Sequence, residues 1–247
     1  MIMANFNIDA QSQNTYDALV IGSGISGGWA AKELCKKGLK TLVLERGRNV
    51  EHNKDYPTAN LHPWEFKHSG QISREQQDKN PLISRAAGYA EDTAHFFIQD
   101  ADHPYVQEKP FDWIRGYQVG GKSLIWARQT QRWSRFEFEA PARDGYAIDW
   151  PIRYADIAPW YSHVERFVGI SGNRDGLETL PDGEFLDPWQ MNCPEKHLQE
   201  KINKQFPGRT VIQGRCAHLT RPNPVHIEQG RGQCMARNIC YRGCPFG

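Results

Sequence analysis

A glycine-rich turn between an apolar strand and a helix is the feature that most constrains how this 247-residue chain can fold. The predicted first strand covers residues 18–21, the helix runs from about residue 26 to residue 37, and a second apolar strand covers residues 41–44. The turn has the spacing GxGxxG and consists of Gly22, Ser23, Gly24, Ile25, Ser26 and Gly27. This order of elements predicts a parallel βαβ unit of the Rossmann type.

The same turn predicts a site for the phosphates of a dinucleotide. Gly22 permits the tight turn, Gly24 lets the backbone approach a pyrophosphate, and Gly27 lets the helix pack closely on the strand. The helix N-terminus offers unpaired N–H groups and a partial positive charge. Glu45 follows Gly27 by 18 residues, at the end of the second strand, where its carboxylate can bind a ribose and repel a 2′-phosphate. The alternative, incidental glycines in a βαβ turn, is disfavoured because all the context of the motif is present.

Residues 115–126 form a second glycine-rich segment, RGYQVGGKSLIW. An adjacent pair of glycines lets the backbone lie flat against a planar ligand, and a nearby hydroxyl can hydrogen-bond that ligand. The expected cofactor contacts here are Gly120, Gly121, Ser123 and Trp126. A hairpin without a ligand is the alternative. The segment also matches the P-loop pattern GxxxxGKS, but it lacks the apolar strand that such a loop follows.

Both glycine motifs, with Glu45-Arg46-Gly47 and the block at residues 149–152, resemble the glucose–methanol–choline (GMC) oxidoreductases. The sequence of these motifs is most similar to that of the bacterial branch of gluconate, sorbitol and glucose dehydrogenase flavoprotein subunits. The resemblance runs from Tyr16 to Gly247 and corresponds to the N-terminal portion of that family. It implies an α/β fold, with a Rossmann-like FAD-binding domain, part of a substrate domain, and an FAD contact from Arg46.

The resemblance also implies an activity, namely oxidation of an alcohol group of a sugar or polyol by hydride transfer to FAD. Electrons would then pass to a partner acceptor. In the family the proton acceptor is a His near the end of a longer chain, and none of the nine His residues here lies in such a motif. No catalytic base is therefore assigned, and the isolated chain is expected to be inactive. An oxygen-using alcohol oxidase and a non-catalytic FAD-binding fragment are the alternative functions.

Three of the six cysteines, Cys234, Cys240 and Cys244, lie within the last fourteen residues. Such clustering indicates a metal or redox site. An iron–sulfur cluster fits three thiolates beside arginines, and the spacing resembles that of bacterial sugar dehydrogenase subunits with a three-iron cluster. That resemblance implies a cytochrome c acceptor and a small exported subunit as partners. A zinc site completed by Cys216 or His226, disulfides, and reduced structural thiols are the alternatives.

Composition excludes several classes of function. The chain has 30 Lys and Arg residues against 29 Asp and Glu, so the formal net charge of +1 gives no broad basic surface for nucleic acid. No apolar run approaches the roughly 18 residues of a membrane helix. The polar N-terminal segment does not have the pattern of a secretory signal. We therefore expect a cytoplasmic protein, unless it is exported to the periplasm with a partner subunit.

The predicted organisation has three parts. Residues 1–15 form a flexible lead, residues 16–150 an FAD-binding domain with inserted loops, and residues 151–247 a partial substrate or electron-transfer region in an apparently truncated chain. Poor periodicity after Arg48 predicts long loops with short helices up to about Pro110. Further along we expect helices after residue 152 and at residues 195–206, and a strand at residues 210–217. The inward positions of the first of these helices would include Trp160, and Cys35 is expected in the core.

Overall fold

The structure, a computed structural model, describes residues 15–237, 240 and 243–245. Residues 1–14, which make up nearly all of the predicted flexible lead, lie outside the described residues. The chain divides into two compact units. The first unit contains residues 1–127 and 237–247, and the second unit contains residues 128–236.

The first unit begins with the predicted βαβ arrangement. It consists of β1 (Ala18–Ile21), α1 (Ile25–Lys36) and β2 (Thr41–Leu44). The two strands are parallel and in register, with Ala18 opposite Thr41 and Ile21 opposite Leu44. The Rossmann-like α/β fold is thereby confirmed, because a parallel pair joined by a helix is the core of that fold.

Helix α1 begins and ends where its glycines predict. Gly24 is the N-cap, and Gly38, at φ +83°, follows the last turn in the left-handed conformation that favours glycine. The expectation that Cys35 lies in the core is wrong, because its side chain is exposed. In this unit the apolar residues of α1 are at most half-buried, and Cys35 lies on the solvent side of the last turn.

The segment after β2 has the predicted loops and short helices. It contains α2 (His52–Asp55) and α3 (Arg74–Lys79), and its 3-10 turns are Pro63–Glu65, Lys67–Gly70, Ile83–Arg85, Ala94–Phe96 and Gly121–Leu124. This irregular segment nevertheless holds a hydrophobic core cluster made of Ile72, Ile83, Ala86, Tyr89 and Phe97. Side chains from separate short turns converge there, so no helical or strand period marks these positions in the sequence.

The second unit is built from helices and loops. Its helices are α4 (Arg135–Phe138), α5 (Ala140–Asp144), α6 (Tyr154–Val168), α7 (Cys193–Gln205) and α8 (Pro224–Glu228). The two longer ones confirm the predicted helices. The strand predicted at residues 210–217 is wrong, because the backbone there pairs only as isolated bridges, from Cys216 to Gln129 and to Ser171. No helix in the described part of the chain is long and apolar enough to cross a membrane.

Helix α6 buries a charged residue and exposes an aromatic one. Trp160, predicted to face inward, is 62% exposed, whereas Glu165 is only 7% exposed. The guanidinium of Arg132 explains this, because its Nε and Nη2 donate to the two carboxylate oxygens of Glu165 at 2.8 and 2.6 Å. Ser162 accepts a further bond from Nη2 at 2.9 Å, and the N–H of Glu184 donates to Glu165 at 2.8 Å. A buried pair is stable only with such additional hydrogen bonds.

A second buried cation, Arg215, organises the loops of the same unit. Its side chain is fully buried and donates to a carboxylate oxygen of Asp182 at 2.9 Å. It also donates to the carbonyls of Leu180 at 3.0 Å and Pro181 at 2.5 Å. These bonds fix a loop that has almost no regular secondary structure of its own.

Candidate nucleotide site

The glycine turn after β1 forms an open cradle. Gly22 has φ +86°, and a Cβ atom added at Gly22 or at Gly24 would meet nothing within 4 Å. No side chain caps α1 at Gly24, so the N–H groups of its first turn remain for a ligand. Ile25 and Ser26, the first two residues of α1, are exposed beside this turn.

Gly27 is required for close packing rather than for turning. A Cβ atom at this position would lie 1.9 Å from the carbonyl oxygen of Gly22 and 3.4 Å from Cγ1 of Val20. Any side chain would therefore push α1 away from the end of β1. This contact is the one that the third glycine of the motif provides in a Rossmann unit.

Glu45 lies directly beside the cradle and holds its backbone. Its Oε2 accepts the N–H and the hydroxyl of Ser23 at 2.8 and 2.6 Å, and its Oε1 accepts the N–H of Gly47 at 2.8 Å. Burial alone would raise the pKa of Glu45, but hydrogen bonds from Ser23, Gly47 and Arg46 outweigh it and lower the pKa. An ionised carboxylate has about four acceptor positions, so Glu45 retains capacity for a ribose hydroxyl.

The second glycine motif lies against the first. Gly120 and Gly121 have φ of +87° and +53°, and the N–H of Gly120 donates to the hydroxyl of Ser23 at 2.9 Å. A Cβ atom added at Gly121 would lie 3.6 Å from Cα of Gly24. The structure thus brings together two motifs that the sequence places far apart.

The other predicted contacts of this region are placed less directly. The hydroxyl of Ser123 donates to the carbonyl of Gly120 at 2.6 Å, so its proton stabilises its own turn. Trp126 is half-buried. The exposed Arg46 places its guanidinium 3.8 Å from the centre of the Tyr117 ring.

Two supporting residues of the site were not identified as such from the sequence. Gln118 is buried, and its amide donates to the carbonyl of Gly121 at 3.1 Å. Gly47 packs so closely on the backbone of Tyr117 that a Cβ atom would lie 1.2 Å from its carbonyl oxygen. The position of Gly47, directly after Glu45 and Arg46, was the sequence signal that could have identified it as part of the site. Gln118 had none, because a glutamine in a loop is most often exposed.

The expected iron–sulfur site is not supported by the structure. Among the described residues, which include all three predicted ligands, no group of three or more His, Cys, Asp or Glu side chains is placed to hold a metal ion. Closeness along the chain is not enough, since the thiolates must converge on one point.

The zinc alternative fails at its proposed fourth ligands. His226 is completely buried, its Nδ1 accepts the N–H of Asn223 at 3.2 Å, and its Nε2 pairs with the carbonyl of Arg166 at 3.0 Å. Both ring nitrogens are thus engaged in capping α8 and α6. Cys216 is buried in the second unit and accepts a hydrogen bond from the amide of Gln129 at 3.2 Å. The six cysteines are free thiols, which excludes the disulfide alternative in this structure.

Comparisons with known proteins show what this chain is similar to. The family described as NAD(P)-binding Rossmann-like domain matches residues 20–81. The chain is 25% identical over 245 residues to the fructose dehydrogenase large subunit of Gluconobacter japonicus, covering 94% of this chain and 41% of that protein. It is 24% identical over 247 residues to the 6'''-hydroxyparomomycin C oxidase of Streptomyces lividus, with coverages of 96% and 37%. It is 24% identical over 249 residues to the cholesterol oxidase of Mycobacterium tuberculosis, covering 94% of this chain and 35% of that protein.

The chain is a relative of the GMC-type flavoproteins. This confirms the resemblance drawn from the two glycine motifs. The chain spans about two fifths of the length of these relatives, 41% and 37% of the first two. The residues of the cradle fit a dinucleotide such as FAD, because the turn at Gly22 and Gly24 is open and the hydrogen bonds to the neighbouring Glu45 lower the pKa of its carboxyl group.

Proposed function

We propose that this chain binds FAD and forms the nucleotide-binding part of an oxidoreductase that oxidises an alcohol group of a sugar or polyol. The observation that carries the proposal is the junction of the cradle, Glu45 and the second glycine motif, through the hydroxyl of Ser23. The relation to fructose dehydrogenase large subunit and to cholesterol oxidase supports a flavin-dependent reaction at an alcohol.

The residues of the site bind and orient the cofactor. Gly22 and Gly24 leave room for a pyrophosphate, and the first N–H groups of α1 donate to its oxygens. The carboxylate of Glu45 accepts from a ribose hydroxyl, while its negative charge disfavours a 2′-phosphate. The backbone of Gly120 and Gly121 borders the cradle as a surface without side chains. FAD supplies a two-electron acceptor for the hydride.

The electron acceptor is the finer part of the proposal. We infer a dehydrogenase that passes electrons to a partner protein, because one relative is named as a large subunit and so belongs to an assembly. Two of the three relatives named above are oxidases, which makes oxygen the alternative acceptor. No step through an iron–sulfur cluster is proposed, because no ligand group of this kind is found among the described residues.

A binding titration tests the cofactor. FAD, NAD and NADP are each added to the purified chain, and binding is followed by calorimetry. We expect FAD to bind with a stoichiometry of one and NADP to bind more weakly than NAD. Replacing Glu45 by Ala should weaken FAD binding by about 1–3 kcal/mol. Preference for NAD over FAD would contradict the proposal.

A second experiment tests the reaction. The FAD-loaded chain is mixed anaerobically with fructose or a polyol, and bleaching of the flavin absorbance is followed. Because no base is assigned in this chain, we expect little bleaching here and rapid bleaching in a protein that spans the full length of the relatives. Re-oxidation by a dye but not by oxygen would support the dehydrogenase, and rapid peroxide formation would favour the oxidase.

A further inference from the structure

The hydroxyl of Ser23 connects three parts of the candidate site. It donates to Oε2 of Glu45 at 2.6 Å and accepts the N–H of Gly120 at 2.9 Å. A carboxylate can only accept and a backbone N–H can only donate, so the two partners fix the direction of the hydroxyl proton. The sequence separation between Ser23 and Gly120 is 97 residues, and the bridge is therefore a tertiary contact.

The hydroxyl of Ser23 bonds to a segment whose backbone conformation favours glycine. Gly120 and Gly121 both have positive φ, and Gly121 lies next to Gly24 of the cradle. The turn is held internally by the bonds from Ser123 to Gly120 and from Gln118 to Gly121. These internal bonds set its shape but not its place relative to the cradle.

The hydrogen bond from Gly120 to Ser23 fixes the position of the second glycine motif relative to the cradle. A second tether, from the N–H of Val119 to the carbonyl of Arg48 at 2.9 Å, lies one residue earlier. The bond between Ser23 and Glu45 is charge-assisted, and bonds of this kind are shorter and stronger than neutral ones. Loss of the hydroxyl would leave the N–H of Gly120 without its acceptor.

We propose that Ser23 is a positioning residue that fixes the second glycine motif against the phosphate cradle, and thereby controls the grip on the part of FAD beyond its pyrophosphate. The inference rests on the proposed FAD site and adds a residue through which the two motifs act together. It predicts a difference between two ligands. ADP contains only the adenosine and pyrophosphate part, so it depends less on the second motif than FAD does.

The test compares FAD and ADP binding to the full chain by calorimetry. Ser23→Ala should weaken FAD binding by about 10- to 100-fold, the loss expected when the N–H of Gly120 is left without its acceptor. ADP binding should change by less than about threefold, and Ser23→Thr, which keeps a hydroxyl, should restore FAD binding to within about threefold. The matched control is Ser84→Ala, since the buried hydroxyl of Ser84 has no hydrogen-bond partner among the described residues.

Several outcomes would overturn the inference. Equal losses for FAD and ADP would mean that Ser23 acts only on the cradle, and unchanged FAD binding would mean that it has no positioning role. If Ser23→Ala does not fold, amide hydrogen exchange on the wild-type chain decides, since exchange at Gly120 as fast as in an exposed loop would contradict the bridge. Failure of the wild-type chain to bind FAD would instead overturn the proposed function, and this inference with it.

Discussion

The cradle in the first unit and the helix α6 region in the second unit are held together by different forces. Around the cradle, the close contacts are made by backbone groups and glycines. The carboxylate of Glu45 accepts hydrogen bonds from the N–H groups of Ser23 and Gly47. Around α6, charged side chains are buried, with Glu165 paired to Arg132 at 2.6 Å. The first arrangement depends on the absence of side chains at fixed spacings. The second depends on oppositely charged side chains that are distant in sequence. Each compensates for the charge of the other where water is excluded.

This comparison predicts its largest effect in the second unit. Glu165→Ala leaves Arg132 buried without its partner, and we expect a loss of about 3–5 kcal/mol in the free energy of unfolding. The measurement is urea unfolding followed by circular dichroism. Glu184→Ala is the matched control, because Glu184 forms an exposed pair with Arg166 at 3.7 Å that should contribute less than about 1 kcal/mol. Equal effects of the two variants would remove the contrast between the regions.

The next effect concerns the packing of α1. Gly27→Ala places a Cβ atom against the carbonyl of Gly22, and overpacking of this kind costs about 1–3 kcal/mol. Gly28→Ala is the control, because its Cβ would lie at an ordinary 3.6 Å from the carbonyl of Ser23. That variant should be stabilised by about 0.5–1 kcal/mol, since Ala favours a helix. Thermal unfolding of both variants would show whether the glycine spacing, rather than the number of glycines, matters.

A smaller effect is expected at the start of α7. Asn192 caps this helix, its side chain accepting the N–H of Glu195 at 2.9 Å while Glu195 accepts the N–H of Asn192 at 2.7 Å. Asn192→Ala should cost about 1 kcal/mol, and Asn192→Ser should retain most of the cap. If urea unfolding gave Asn192→Ala a loss as large as that of Glu165→Ala, local capping would rival the buried ion pair in the second unit.

The smallest expected effect is a pH dependence at Glu45. Its pKa in the folded chain is lowered from the ordinary value of 4.5, so the ionised carboxylate stabilises the fold above that pH. This contribution is lost as the pH falls through the lowered pKa. The difference in unfolding free energy between the wild type and Glu45→Gln should therefore be constant above pH 4.5 and shrink below it. A difference that grew in acid would contradict the hydrogen bonds assigned to Glu45.

The cysteine and glycine motifs differ in what their spacing alone can establish. Cys234, Cys240 and Cys244 are close in sequence, yet no group of three metal-ligating side chains is placed to hold a metal ion in the part of the chain that the structure describes. The residues of the glycine motif act through local backbone geometry, which neighbouring residues in the sequence specify. A thiolate site needs three side chains aimed at one point, and this depends on the path of the whole segment.

The sequence by itself determined the βαβ unit, its cradle and the position of Glu45, because strand, turn and helix are specified by neighbouring residues. It also determined α6 and α7 as helices, through their apolar spacing and end signals. Only the tertiary structure decided that Gly120 meets Ser23, that irregular turns supply the core around Ile83, and that Glu165 rather than Trp160 is buried in α6. The physical reason is that hydrogen bonds and ion pairs between distant segments leave no period in the sequence, and their partners become neighbours only when the chain has folded.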